Sequence, residues 1–324
     1  MKNTWEQIRN LLKQEYNLEA TLIKPMTTGV GGDTFLIETG NGKYVFKLAD
    51  INEINRPEME PEICSFLFQK GLAVSEFYKN KSDEYLVKMP DDRCGHLQGF
   101  IEGNVFSMNC APEWFMGQSA LLLGKLHRAL CDYRELPVGI GKDFFYYMTP
   151  ANALKSYRKS LTKAMESKEN DIVEDLEFRI TLTEQFPEME FELEKLTYRN
   201  THGDYTVNQI ICDDNNIKAV IDWTCACRHP VVWELTRSFF YASPSCANGS
   251  FDEAEFKEYV RAYCSVLALN QYDMEKLLSL YYYQLAVCDY YKQYLDADEE
   301  KKQEFLMQAR FATNVLRQME EFQR

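Results

Sequence analysis

The chain has 324 residues, a formal net charge of −14, 45% hydrophobic residues and 27% charged residues. That length supports one large domain or two smaller bodies with ample core, and the acidic balance argues against nonspecific nucleic-acid binding, which runs on basic patches. No run approaches the ~18 apolar residues of a membrane span, and the opening "MKNTWEQIRNLLKQEYNLEA" is amphipathic without the apolar core of a signal peptide, so a soluble cytoplasmic protein with no membrane or nucleic-acid partner is expected.

Residues 21–48 read as strand, glycine-rich turn, strand, hairpin, strand. The segments are "TLIKP", "TTGVGGD", "TFLIE", the Asn41-Gly42 hairpin signal in "TGNG", and "KYVFKL". Residues 60–70 read as a helix, with Ile63, Phe66 and Leu67 at helical spacing and Gly71 closing it. "AVSEFY", "EYLVKM" and "HLQGFIE" are three further strand candidates. After Gly103 the composition changes. "PEWFMGQSALLLGKLHRAL" is an amphipathic helix, residues 150–195 are helical and charge-rich, and residues 200–223 contain a short hairpin pattern. Residues 230–324 are helical and rich in Tyr and Phe. The pattern predicts an α+β chain, with residues 1–101 forming a small β-rich N-terminal lobe and residues 102–324 a larger, mainly helical C-terminal lobe. A cleft between two such lobes is where a ligand is expected.

The ten cysteines are expected as buried thiols rather than disulfides. Cys225-x-Cys227-x-His229 lacks a second ligand pair at metal-site spacing, so no structural zinc is assigned. Gly29, Gly31 and Gly32 lie between two strands, where glycines let the backbone approach phosphate groups, but no Gly-Lys-Ser/Thr follows as in a Walker A loop. Lys47 sits on a strand among Val45, Phe46 and Leu48, so its ammonium needs a partner or a phosphate. Glu58, Glu60 and Glu62 are all available on the following helix. Glu60 is preferred because it shares a face with Ile63 and Leu67, although Pro61 would put it at the very start of the helix.

The stretch "THGDYTVNQIICDDNNIKAVIDW" holds two carboxylates, Asp204 before the apolar run Ile210-Ile211 and Asp222 after the strand "IKAVID". A hairpin would bring them to one end. Phosphoryl transfer needs such a pair, one carboxylate to accept a hydroxyl proton and one to hold Mg²⁺. His202 reads as a loop brace rather than a base.

This stretch resembles the signature of the aminoglycoside phosphotransferase superfamily, small-molecule kinases of protein-kinase-like fold that include choline, homoserine and methylthioribose kinases. The order of features is similar over nearly the whole chain: glycine-rich turn, strand Lys, helix Glu, "FIEG", "LGKLHRAL", His-Gly-Asp, Ile-Asp-Trp, then "HPVVWELTRSF". The resemblance implies transfer of the γ-phosphoryl group of ATP, with Mg²⁺, to a hydroxyl of a small molecule such as an amino-alcohol or aminoglycoside. It implies that Asp204 is the catalytic base and that Asp222 binds the metal. Lys47 would contact the nucleotide phosphates with Glu60 as its partner, and Phe100 and Ile101 would belong to the hinge against which adenine packs. His127 and Glu234 would be structural, with Glu234 standing where the family often carries Asp.

One departure is visible. The family's second metal ligand is usually an Asn five residues after the base, and here that position is Gln209, with Asn208 one residue early. Strand alternation gives Gln209 the inward register, and its amide oxygen has the chemistry of Asn. The alternative is a catalytically weak or silent nucleotide-binding scaffold. Tyr282, Tyr283, Tyr290 and Tyr291 could form an aromatic wall for an ammonium group or the packed face of a buried helix. Trp223 would border the acceptor site. Arg228 and His229 would meet an anionic group or hold the loop.

Overall fold

The computed structural model describes residues 2–26, 33–49, 56–89, 93–186 and 190–323. In chain order the elements are α1 (Lys2–Tyr16), β1 (Ala20–Pro25), β2 (Asp33–Thr39), β3 (Gly42–Ala49), α2 (Met59–Gln69), β4 (Phe77–Tyr78), β5 (Leu86–Lys88), β6 (Cys94–Gly99), α3 (Glu113–Leu130), α4 (Lys142–Tyr147), α5 (Pro150–Glu166) and α6 (Asn170–Glu184). Then come β7 (Tyr198–Thr201), β8 (Ile210–Cys212), β9 (Ile217–Val220), β10 (Cys227–Pro230), α7 (Val231–Ala242), α8 (Glu253–Cys264), α9 (Gln271–Val287), α10 (Tyr290–Asp296) and α11 (Glu299–Gln323). The chain divides into two compact units, one of residues 1–105 with 209–226, the other of residues 106–208 with 227–324.

The first unit is built on an antiparallel sheet of order β1-β2-β3-β6-β4, with β5 also paired to β6. Alternation sends Phe35, Ile37, Phe46, Leu48 and Leu97 to a core that also contains Ile8 and Leu12 of α1. The amphipathic opening segment is therefore a helix that packs against the sheet. Lys47, between Phe46 and Leu48, is turned the other way, and there Glu60 of α2 meets it. The helix begins one residue before Glu60, and Pro61 falls in its first turn, where its missing N–H costs nothing. Gly71 closes α2 at φ 75°, with Gly71 N–H bonded to Phe68 O and Leu72 N–H to Leu67 O. This is the paired C-terminal cap that only a residue tolerant of positive φ completes cheaply.

The sequence places residues 209–226 in the helical part, whereas here they pack with the first unit. The reason is backbone pairing. β8 and β9 form a hairpin, Val220 bridges to Val74, and Cys212 exchanges two hydrogen bonds of 2.8 Å with Asn104. The Asn104 bridge needs Gly103, since a Cβ there would lie about 2.5 Å from Cys212 O.

The second unit is helical apart from the β7–β10 pair. A core of Tyr157, Leu176, Tyr283, Val287 and Tyr291 joins α5, α6, α9 and α10. Arg179 is fully buried there, donating to Tyr157 Oη, Thr313 Oγ1, Leu285 O and Cys288 O, the last two being carbonyls at the end of α9. At its other end α9 starts on a capping box formed by Asn270 and Asp273. The ten cysteines form no disulfide, but the expectation that they are buried holds only for Cys64, Cys94, Cys212 and Cys246, while Cys110, Cys131 and Cys225 are exposed. No helix among the described residues is long and apolar enough to cross a membrane.

Candidate active site

In the first unit three charged side chains converge. Lys47 Nζ lies 3.2 Å from Glu60 Oε2 and 2.7 Å from Asp222 Oδ1. Burial opposes the ammonium charge, yet Glu60 and then Asp222 hold Lys47 above the ordinary lysine range. The Glu60 side chain is 3% exposed, and its other oxygen accepts the Trp223 N–H at 3.2 Å. Asp222, 38% exposed, also accepts from Thr224 Oγ1 at 2.8 Å. Its backbone is left-handed, φ 61° and ψ 66°, a conformation a non-glycine residue adopts at some cost. His96 faces Lys47 across the β3–β6 ladder, and burial pushes its imidazole down to about 4, so it stands neutral. Its Nε2 lies 3.7 Å from Glu60 and has no hydrogen bond among the described residues.

Gln209 also belongs to this unit, but the reason given for preferring it needs correction. Val207–Gln209 is a 3-10 turn, not a strand, so alternation does not set its direction. What does place it is one further rung of the hairpin. Ile221 N–H donates to Gln209 O at 2.9 Å, which puts Gln209 opposite the residue next to Asp222. Asn208 falls in the second unit, is exposed, and accepts from Thr206 Oγ1 at 2.5 Å. Phe100 and Ile101, both half-buried, follow β6, with Phe100 N–H on Lys43 O and the Lys43 ammonium 5.6 Å above the Phe100 ring. Gly29, Gly31 and Gly32 lie outside the described residues.

The second unit holds the His-Gly-Asp loop between β7 and the 3-10 turn. Glu234 of α7, 1% exposed, accepts Gly203 N–H at 2.5 Å and His202 N–H at 3.3 Å, and His127 Nε2 lies 2.8 Å from it. Burial works against the Glu234 carboxylate, but the hydrogen bond and charge of His127 leave it below the usual range. His202 Nδ1 accepts the Asp204 N–H at 3.2 Å. Glu234 and His202 thus brace the loop, and His127, expected as a packing residue, bonds to Glu234. Asp204, 30% exposed, makes an ion pair with Arg237 of α7, Oδ1 to Nη2, at 2.7 Å.

A cavity of about 610 Å³ opens in the second unit, lined among others by Tyr147, Asn152, Ser156, Gln284, Asp289 and Tyr290. Of the four tyrosines singled out on α9 and α10, Tyr282, Tyr283 and Tyr291 are core residues, and only Tyr290 reaches this cavity.

The model of the phosphotransferase enzyme family (APH) matches residues 23–277. The chain belongs to this family. Comparison with curated proteins gave no match. Among solved structures, an amicoumacin kinase in complex with AMP-PNP, Ca²⁺ and Ami is 10% identical, with a TM-score of 0.65 over 98% of this chain and 96% of that one. A spectinomycin phosphotransferase bound to ADP and spectinomycin is 15% identical, with a TM-score of 0.65 over 98% of each chain. A microcompartment-associated aminopropanol kinase is 12% identical, with a TM-score of 0.63 over 97% of each. The fold is the protein-kinase-like α+β fold of this family, a β-rich N-terminal unit and a mainly helical remainder.

Within this phosphotransferase, two site residues were not anticipated. Arg237 stands in the quoted "HPVVWELTRSF", three residues after Glu234, and that helical spacing was the available signal. His96 carried none, because strand register alone sets it opposite Lys47. Cys225, Cys227 and His229 do not form a metal site. His229 accepts Ile140 N–H at 2.9 Å and packs on Trp233, and no group of three metal-ligating side chains occurs among the described residues.

Proposed function

We propose that this phosphotransferase moves the γ-phosphoryl group of ATP to a hydroxyl of a small molecule, an amino-alcohol or aminoglycoside-like acceptor. The observation that carries the reading is the Lys47–Glu60–Asp222 triad, in which Lys47 and Glu60 are buried and Asp222 is partly exposed. A cell of two carboxylates around one strand lysine holds a cation ready for phosphate oxygens, and Glu60 keeps the lysine aligned when Asp222 turns to a metal. Asp222 and Gln209 would hold Mg²⁺. Their hard oxygens suit that ion, which takes one or two protein ligands and completes its shell with phosphate and water, and Asp222 is exposed enough to be reached. An ion held there would supply positive charge to offset that of the phosphates. Phe100 and Ile101 would border adenine, and Gly29, Gly31 and Gly32 would cover the phosphates.

Asp204 acts as the base. The acceptor hydroxyl gives its proton to the Asp204 carboxylate, its oxygen forms a bond to the γ-phosphorus, and the bond from that phosphorus to the β,γ-bridging oxygen breaks to release ADP. The cavity of the second unit, with Asp289, Gln284 and Tyr290 in its wall, is a place for the rest of an amine-bearing acceptor, and the net charge of −14 favours a cation.

The test is the melting temperature with ATP, with and without Mg²⁺, for wild type and Asp222→Ala. A ligand that binds only the folded state raises it. A Mg²⁺-dependent rise lost in the variant supports the reading. No shift at saturating nucleotide would refute it and turn attention to a silent scaffold.

A further inference from the structure

Arg237 makes an ion pair with the proposed base. It lies on α7 with Trp233 four residues before and Tyr241 four residues after, so the three share one face of the helix. Its guanidinium carbon stands 5.5 Å from the Trp233 ring centroid and 4.6 Å from that of Tyr241. Two rings so placed restrict the plane of the fork. One arm, Nη2, reaches Asp204 Oδ1 at 2.7 Å, while Nη1 is buried without a hydrogen-bond partner among the described residues. Asp204 is thus the acid this guanidinium is held against.

The same helix grips the loop twice. Glu234 takes the backbone N–H groups of His202 and Gly203, and Arg237, three residues on, takes the side chain of the next residue. One grip fixes where the Asp204 backbone runs, the other fixes its rotamer. A loop residue about one-third exposed would otherwise sample several rotamers, and a base misplaced by ~1 Å loses on the order of 100-fold in rate.

We propose that Arg237 is the positioning residue of the transfer reaction: by holding Oδ1 of Asp204 it presents Oδ2 to the acceptor hydroxyl. The inference rests on the phosphotransferase reading and on Asp204 as its base. Arg237 itself touches neither substrate nor metal in this role.

The experiment compares wild type, Arg237→Gln and Arg237→Lys, using Mg²⁺-ATP hydrolysis with water as acceptor and, beside it, spectinomycin and 1-amino-2-propanol as trial acceptors. Melting temperature and the ATP-induced shift are recorded for each protein. The expected result is a fall in kcat of roughly 10- to 100-fold for Arg237→Gln, an ATP KM within about twofold of wild type, partial recovery in Arg237→Lys, and recovery of Arg237→Gln by added guanidinium. A brace that only stabilised the fold would change melting temperature and kcat together and would not answer to guanidinium. Undiminished kcat in a folded Arg237→Gln overturns the inference and leaves the function standing. Wild type that neither turns over Mg²⁺-ATP nor is stabilised by it overturns the function reading, and the inference falls with it.

Discussion

Replacing Glu60 with alanine is the perturbation whose size the structure fixes best. Its carboxylate, 3% exposed, serves two donors, Lys47 Nζ and Trp223 N–H, each at 3.2 Å. Removing one partner of a fully buried pair costs about 3–5 kcal/mol, because the remaining charge is left uncompensated. Here Asp222 Oδ1 stays 2.7 Å from the ammonium, which reduces the charge contribution to on the order of 1–2 kcal/mol. The Trp223 N–H loses its acceptor in the interior, adding about 1–3 kcal/mol. A total of about 3 kcal/mol lowers the melting temperature by roughly 4–5 °C in a chain of this size. Glu60→Gln keeps an acceptor for Trp223 N–H and should lose about half as much. Glu62→Ala, two positions along the same helix and half-buried, should lose under about 1 kcal/mol. Thermal and urea unfolding followed by circular dichroism reads all three. If Glu60→Ala unfolds no earlier than Glu62→Ala, the triad does not hold the first unit together and the reasoning fails.

Three more outcomes are expected. Asp204→Ala should lose turnover and also stability, by ~2–3 kcal/mol, since it leaves the Arg237 guanidinium unpaired; Asp204→Asn keeps an acceptor for Arg237 and should lose turnover with most of the stability retained, so full activity in Asp204→Asn would remove the base assignment. Burial pushes both His96 and His229 down from 6.5 to about 4. Between those values the unfolded chain binds more protons than the folded one, so stability falls as pH drops through this window, by about 1.4 kcal/mol per pH unit for each histidine. Urea midpoints at about pH 7 and about pH 5 should differ accordingly, and less so in His96→Gln; an unaltered slope in that variant contradicts the assignment. Gly103→Ala forces a Cβ to about 2.5 Å from Cys212 O and should cost about 1–3 kcal/mol, whereas an unchanged melting temperature would show that the bridge to Asn104 yields easily.

Local rules in the sequence reached most of the scaffold. Period-2 alternation located the strands around Phe35, Phe46 and Leu97, and Gly71 marked the end of α2 correctly because its positive φ has a specific physical use. The choice of Glu60 over Glu62 followed from helical phase, and the ion pair with Lys47 agrees with it. What escaped was set by pairing between distant segments. Nothing local in "NQIIC" says that it joins residue 104 on one side and that the hairpin's other strand joins residue 74, so its grouping with the first unit was not legible. Alternation was carried one step too far at Gln209, where a 3-10 turn intervenes. Arg237 was missed because its partner lies 33 positions earlier, in a loop whose path no periodicity describes.

The four carboxylates of these two constellations divide by exposure. Glu60 and Glu234 are 3% and 1% exposed. In each, Oε1 accepts a backbone N–H, of Trp223 or of Gly203, and Oε2 meets a nitrogen side chain, Lys47 or His127, with the His202 N–H also on Glu234 Oε2. The segments they hold run through positive φ at Asp222 and Gly203, where no helix or ladder supplies an acceptor for the Trp223 or the Gly203 N–H. A buried carboxylate is the strongest acceptor a protein can place there, and its own charge then demands the lysine or the histidine. Asp204 and Asp222, by contrast, are 30% and 38% exposed. Each has one oxygen tied to a cation from its own unit, Arg237 or Lys47, and enough accessible surface for a proton or a metal to arrive. Two of these acids hold backbone and the proposed chemistry falls to the two exposed ones, a division that residue type repeats, since the buried pair are glutamates and the exposed pair aspartates.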